Sequence, residues 1–75
     1  MDLLEAALRV LREQGEPLHW TVIQDLALRR GYLDPFTQSD LRKGLLSALA
    51  ESVRDPAGPI VKVGRGTYAL RDPAV

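Results

Sequence analysis

Val61-Lys62-Val63-Gly64-Arg65-Gly66-Thr67-Tyr68-Ala69-Leu70 is the stretch on which the fold turns. A Gly-Arg-Gly core between two runs of branched, aromatic and alternating residues predicts a β-hairpin over about 60–71. With Arg65-Gly66 as the loop, Gly64 pairs with Thr67, and Val61, Val63, Tyr68 and Leu70 fall on one face while Lys62, Thr67 and Ala69 take the other. A longer loop, Gly64-Arg65-Gly66, puts Tyr68 beside Lys62 and splits the apolar set. The shorter loop is therefore the expected one.

Upstream of the hairpin the periodicity changes from two to three and four. Leu41, Leu45, Ala48 and Leu49 form one stripe, which predicts a helix over about 37–53 before Asp55-Pro56-Ala57-Gly58-Pro59 breaks it. Thr37, with Asp40 three residues on, reads as its start. Gly44 inside it costs roughly 1 kcal/mol relative to alanine, a sign either of close approach to another helix or of a tolerated weakness.

A preceding helix is expected over about 21–30, with Thr21 as its N-cap, Val22, Ile23, Leu26 and Ala27 facing inward and Gly31 closing it. Asp34-Pro35 then marks a turn. The first helix, over about 2–14, opens on Asp2 and Glu5 at capping-box spacing, presents Leu3, Leu4, Ala7, Leu8 and Leu11 on one face, and stops at Gln14-Gly15. Between these two helices, Pro17-Leu18-His19-Trp20 reads as an extended segment or short edge strand.

The order is helix, extended piece, helix, helix, hairpin. That is a mainly α architecture with a small hairpin, a winged helix-turn-helix in which the second helix of the pair is offered to the DNA major groove and the hairpin forms a wing.

Seventy-five residues are the size of one domain, and at that length folding hides only about 60% of the unfolded chain's surface. The expectation is one domain spanning 1–75. A hydrophobic fraction of 45% with 27% charged residues is globular rather than disordered in type. With no cysteine and a single histidine, His19, neither a disulfide framework nor a zinc site can be assembled. The apolar runs are too short to span a bilayer, which takes about 20 residues, and a soluble cytoplasmic protein without cofactors is expected. No phosphate-loop or nucleophile pattern is present, so the reading is of a binding module rather than an enzyme.

Two blocks resemble a known family. Glu16-Pro17-Leu18-His19-Trp20 followed by Val22-Ile23, together with Val61 to Arg71 at the end, is similar to the HARE-HTH domains, a winged-helix family also seen in the delta subunit of bacterial RNA polymerase. The resemblance runs from about Leu4 to Arg71, with a departure at Gln38-Ser39-Asp40, where many relatives carry Thr-Pro. It implies association with DNA-modifying, restriction, chromatin or transcription machinery, through duplex DNA or through protein docking.

Charge distribution has to carry any DNA reading, because ten Lys and Arg against ten Asp and Glu leave no net excess. Between Gln38 and Arg71, however, Arg42, Lys43, Arg54, Lys62, Arg65 and Arg71 face only Asp40, Glu51 and Asp55. On the third helix the apolar stripe leaves Ser39, Lys43, Ser47 and Arg54 on the far side and Arg42 on the flank, where cations and hydroxyls can meet phosphates or base edges. Lys62 and Arg65 on the wing are placed to follow a backbone or enter a minor groove. The DNA-contacting set is thus Ser39, Arg42, Lys43, Ser47, Lys62 and Arg65, with modest, salt-sensitive affinity.

The bland alternatives are a solvated helix face and a basic hairpin tip kept for solubility. His19, Trp20 and Tyr68 read as structural, since no partner for acid-base chemistry is placed beside them. Leu33, Phe36 and Leu46 read as an exposed apolar patch that would favour a protein partner or a homodimer instead.

Overall fold

The computed structural model describes residues 1–36 and 40–72. Its elements run α1 (Leu3–Gln14), β1 (Leu18–His19), α2 (Trp20–Arg29), α3 (Leu41–Arg54), β2 (Ile60–Gly64) and β3 (Thr67–Leu70). The strands form one antiparallel sheet in the order β1-β3-β2. Three helices followed by a hairpin is the winged helix-turn-helix arrangement.

α1 starts as its sequence dictates. The Asp2 carboxylate accepts the Glu5 N–H at 2.8 Å, satisfying one of the orphan donors of the first turn. At the other end Gly15 takes the left-handed conformation and its N–H reaches Leu11 O at 3.0 Å. The buried face is rotated from the expected one: Ala6, Ala7, Val10 and Leu11 are buried, while Leu3, Leu4 and Leu8 pack at the margin. The helix is wedged among α2, α3 and β3, so small residues sit where backbones come closest and the leucines fill the edges.

The first turn of α2 differs from expectation. Trp20 is its first helical residue rather than the end of the extended segment, and the N-cap is His19 instead of Thr21. The imidazole Nδ1 accepts the Thr21 N–H at 3.3 Å and lies 2.8 Å from Thr21 Oγ1, so a ring nitrogen does the work a hydroxyl usually does. Ile23 and Ala27 point inward, but Val22 is exposed. Beyond Gly31, the Tyr32 N–H returns to Ala27 O at 2.9 Å and Leu33 is tucked into the core.

The expected Thr37 start lies outside the described residues; the described helix α3 opens at Leu41. Asp40, expected inside the first turn, is the cap: its carboxylate accepts the Lys43 N–H at 3.0 Å. Leu45 and Leu49 are fully buried with Leu11, Val10, Ile23 and Ile60, forming the centre of the core. Gly44 is a close-approach glycine. A Cβ there would come within 2.7 Å of the Leu3 side chain on α1.

The hairpin keeps the Gly64–Thr67 pair but not the expected faces. Lys62 lies opposite Tyr68, Val61 opposite Ala69 and Ile60 opposite Leu70, so Val63 is the extra residue of a β-bulge. Ile60 and Tyr68 therefore enter the core, and Val63 is left 54% exposed. The cause sits in the loop. Only Gly66 has positive φ, at +70°, whereas a type I′ turn needs it at both central residues. The bulge supplies local strand twist that such a loop does not.

Candidate nucleic-acid interface

Trp20 joins the wing to the third helix. Its backbone N–H donates to Gly66 O at 2.9 Å, which holds the wing loop against the start of α2. The β1–β3 pairs Leu18–Tyr68 and His19–Thr67 extend this seam. Contact is so close that a Cβ on Gly66 would meet His19 Nε2 at 2.7 Å and Trp20 Cδ1 at 3.3 Å. Glycine is therefore required at 66 twice over, by its positive φ and by the neighbouring rings.

On its other side the half-buried Trp20 ring lies under Arg42, with the guanidinium carbon 5.6 Å from the ring centroid. This is within cation-π range. Arg42, on α3, and Arg65, next to Gly66, are thus tied to one residue although 23 positions separate them in sequence.

Lys43 lines a shallow cleft with Asp40, Arg42 and Leu46 at the front of α3. Ser47 is exposed one turn further along. Lys62 is exposed, but on the Tyr68 side of the ribbon rather than opposite it, because of the bulge. Ser39 lies outside the described residues. Arg54 and Arg71 belong elsewhere: Arg71 Nε donates to Gly58 O at 2.6 Å and bonds the loop that follows α3, and Arg54 ends that helix. About 18 Å of helix, at 1.5 Å per residue, separates Arg54 from Arg42.

Among the described residues, the ion pairs are Arg9–Glu13, Arg29–Asp25 and Arg30–Glu13, all on α1 or at the far end of α2. Tyr32 Oη also donates to Glu13, and Arg9 lies 5.0 Å from the Tyr32 ring centroid. The Tyr32 hydrogen bond, assisted by Arg30, holds the Glu13 carboxyl below its ordinary range. The same bond raises the Tyr32 phenol, since losing that proton would set two anions against each other. This cluster fastens α1 to α2.

The expected apolar patch is not assembled. Phe36 is 95% exposed, but Leu33 is 5% exposed and Leu46 only partly so. Leu33 is drawn inward by the turn that closes α2 and so shares no exposed surface with Phe36. Among the described residues no helix is long and apolar enough to cross a membrane, and no group of His, Asp and Glu could hold a metal ion.

Sequence reasoning missed Trp20 as the meeting point of wing and helix. A core-capping indole and a cation-π partner carry the same local pattern, and Arg42 lies 22 positions away. A family model, HARE-HTH, describing the helix-turn-helix domain of ASXL and restriction endonuclease proteins among others, matches residues 1–72. No curated protein matches the chain, and no solved structure does.

Proposed function

The chain belongs to the HARE-HTH family, a helix-turn-helix family that is generally DNA-binding, and on that premise we propose that it is a duplex-DNA-binding winged-helix module. It acts as a single domain in transcription or in a DNA-processing system, in the cytoplasm, without a catalytic step of its own. α3 enters the major groove with Arg42, Lys43 and Ser47, Ser39 adds a contact from the segment before it, and the wing lays Lys62 and Arg65 on the adjacent backbone or minor groove.

The observation that carries this reading is the Trp20 junction. It fastens the wing loop and the front of α3 to one another, next to cations that form no ion pair among the described residues. A helix and a wing locked together can follow one face of a duplex without first ordering themselves. The zero net charge keeps the affinity modest, because only a few phosphates are neutralised.

Fluorescence anisotropy across a salt series tests it. Arg42→Ala with Lys43→Ala should weaken binding and flatten the slope of log K against log salt, by up to about one for each phosphate contact removed. Unchanged binding by the double variant would sink the assignment.

A second reading is a protein-docking winged helix, on RNA polymerase or on a second copy. The exposed ring of Phe36 favours it. Dimers in sedimentation, or a captured protein partner, with no DNA retardation at low salt would reverse the ranking.

A further inference from the structure

The cations of the interface are not equivalent. Lys43, Lys62 and Arg65 are exposed, and among the described residues no side-chain partner holds them. Arg42 is held twice. Its backbone lies in the first turn of α3, where Asp40 caps the Lys43 N–H, and its guanidinium rests on the Trp20 ring.

The Trp20 backbone is fixed by its N–H hydrogen bond to Gly66 O, and its half-buried side chain packs against the core. Attraction to a ring face uses none of the five N–H donors of a guanidinium, so Arg42 is oriented with its donors unspent. A side chain ordered before binding gives up less rotamer freedom on contact.

Orientation is not required for a phosphate, which a lysine holds as a point charge, although a guanidinium can also fork to two of its oxygens. It matters for guanine, whose O6 and N7 are matched by two parallel N–H groups in a fixed plane. Arg42 also sits at the N-terminal end of α3, the end of a recognition helix that meets base edges. Asp40, two residues before it, repels phosphate there but can face a cytosine, whose N4 amino group is a donor.

Resting on the DNA-binding reading above, we propose that Arg42 is the specificity-determining residue, directed at the guanine of one G·C pair, and that Trp20 is the positioning residue that aims it. Lys43, Lys62 and Arg65 supply affinity that is indifferent to sequence.

The test is selection from a pool of DNA duplexes with a randomised centre, run beside a salt series on a mixed-sequence duplex. The full chain should enrich a G·C pair at one position. Arg42→Lys keeps the charge and loses the planar fork, so it should cost that preference by about tenfold to a hundredfold while leaving the salt slope unchanged. Trp20→Leu should do the same, and Trp20→Phe, which keeps a ring face, should restore the preference.

If Trp20→Leu fails to fold, Arg42→Lys and Trp20→Phe still decide the matter. Enrichment surviving in Arg42→Lys, lost in Trp20→Phe or absent from the full chain that retains duplexes overturns the assignment and leaves DNA binding standing. Failure of the full chain to retain any duplex at low salt defeats the DNA reading itself.

Discussion

Seven of the ten basic residues fall into two populations that composition alone cannot distinguish; of the rest, Arg12 and Arg54 have no acidic partner among the described residues and Arg71 bonds backbone carbonyls. On α1 and α2, Arg9, Arg29 and Arg30 are paired with Glu13 and Asp25. On α3 and the wing, Lys43, Lys62 and Arg65 have no acidic partner among the described residues, and Arg42 is matched to an aromatic ring. Exposed pairs contribute little to stability, commonly about 0–1 kcal/mol, so pairing chiefly decides which cations stay available to an external anion. A molecule of zero net charge can thereby hold a locally basic face.

The most severe way to break this contrast is to remove the unpaired set. Lys43→Ala with Lys62→Ala and Arg65→Ala should lower the salt slope by roughly 2 to 3 and the affinity near 0.1 M salt by on the order of a hundredfold. Arg9→Ala with Arg29→Ala removes charge from the paired set and should leave the slope within error. Equal losses in the two titrations would erase the distinction.

Two glycines sharpen the comparison in terms of stability. Gly15, at the end of α1, and Gly66, in the wing, both have positive φ, near +67° and +70°, but a Cβ on Gly15 would meet nothing within 4 Å. Gly15→Ala should therefore cost about 1 kcal/mol of backbone strain, and Gly66→Ala about 2–3 kcal/mol, since His19 and Trp20 must also move. In a chain of this size each kcal/mol lowers Tm by about 4–8 °C, which calorimetry resolves. Only Gly66→Ala should also weaken DNA retention, because it displaces the wing from Trp20.

The smallest effect belongs to the Glu13 cluster. A carboxyl held below its ordinary range adds stability that is present above its unfolded pKa and fades as pH falls through the folded value. A raised phenol adds stability that is present below its unfolded pKa and fades as pH rises through the folded one. Tyr32→Phe should move the Glu13 titration, followed by carboxyl NMR shifts, upward, shrink the acid-side trend and abolish the alkaline one. DNA binding should not change.

Much of the fold was legible because its signals are local. Asp2 and Glu5 at capping-box spacing, Gly15 before Pro17, the Leu41-Leu45-Leu49 stripe and the Gly64–Thr67 pairing each depend on a few neighbouring residues, and each stands in the structure. The caps at His19 and Asp40 were misassigned because several neighbouring residues can accept the same orphan N–H, and only the chain's path selects among them. The bulge at Val63 was missed for a similar reason. Apolar alternation favours an unbroken ladder, but Ile60 and Tyr68 must both reach one core.

What the sequence determined by itself was the order of elements, the basic bias of the region from Gln38 to Arg71 and the types of residue available for contact. Tertiary structure alone decided that Trp20 meets both Arg42 and Gly66, that Arg71 is spent on the loop after α3 and that Leu33 is buried in the core while Phe36 stays exposed. Local backbone preferences are written into adjacent side chains. The pairing of a cation with a ring or a carbonyl far along the chain is set only when the helices pack and bring distant residues within a few ångströms.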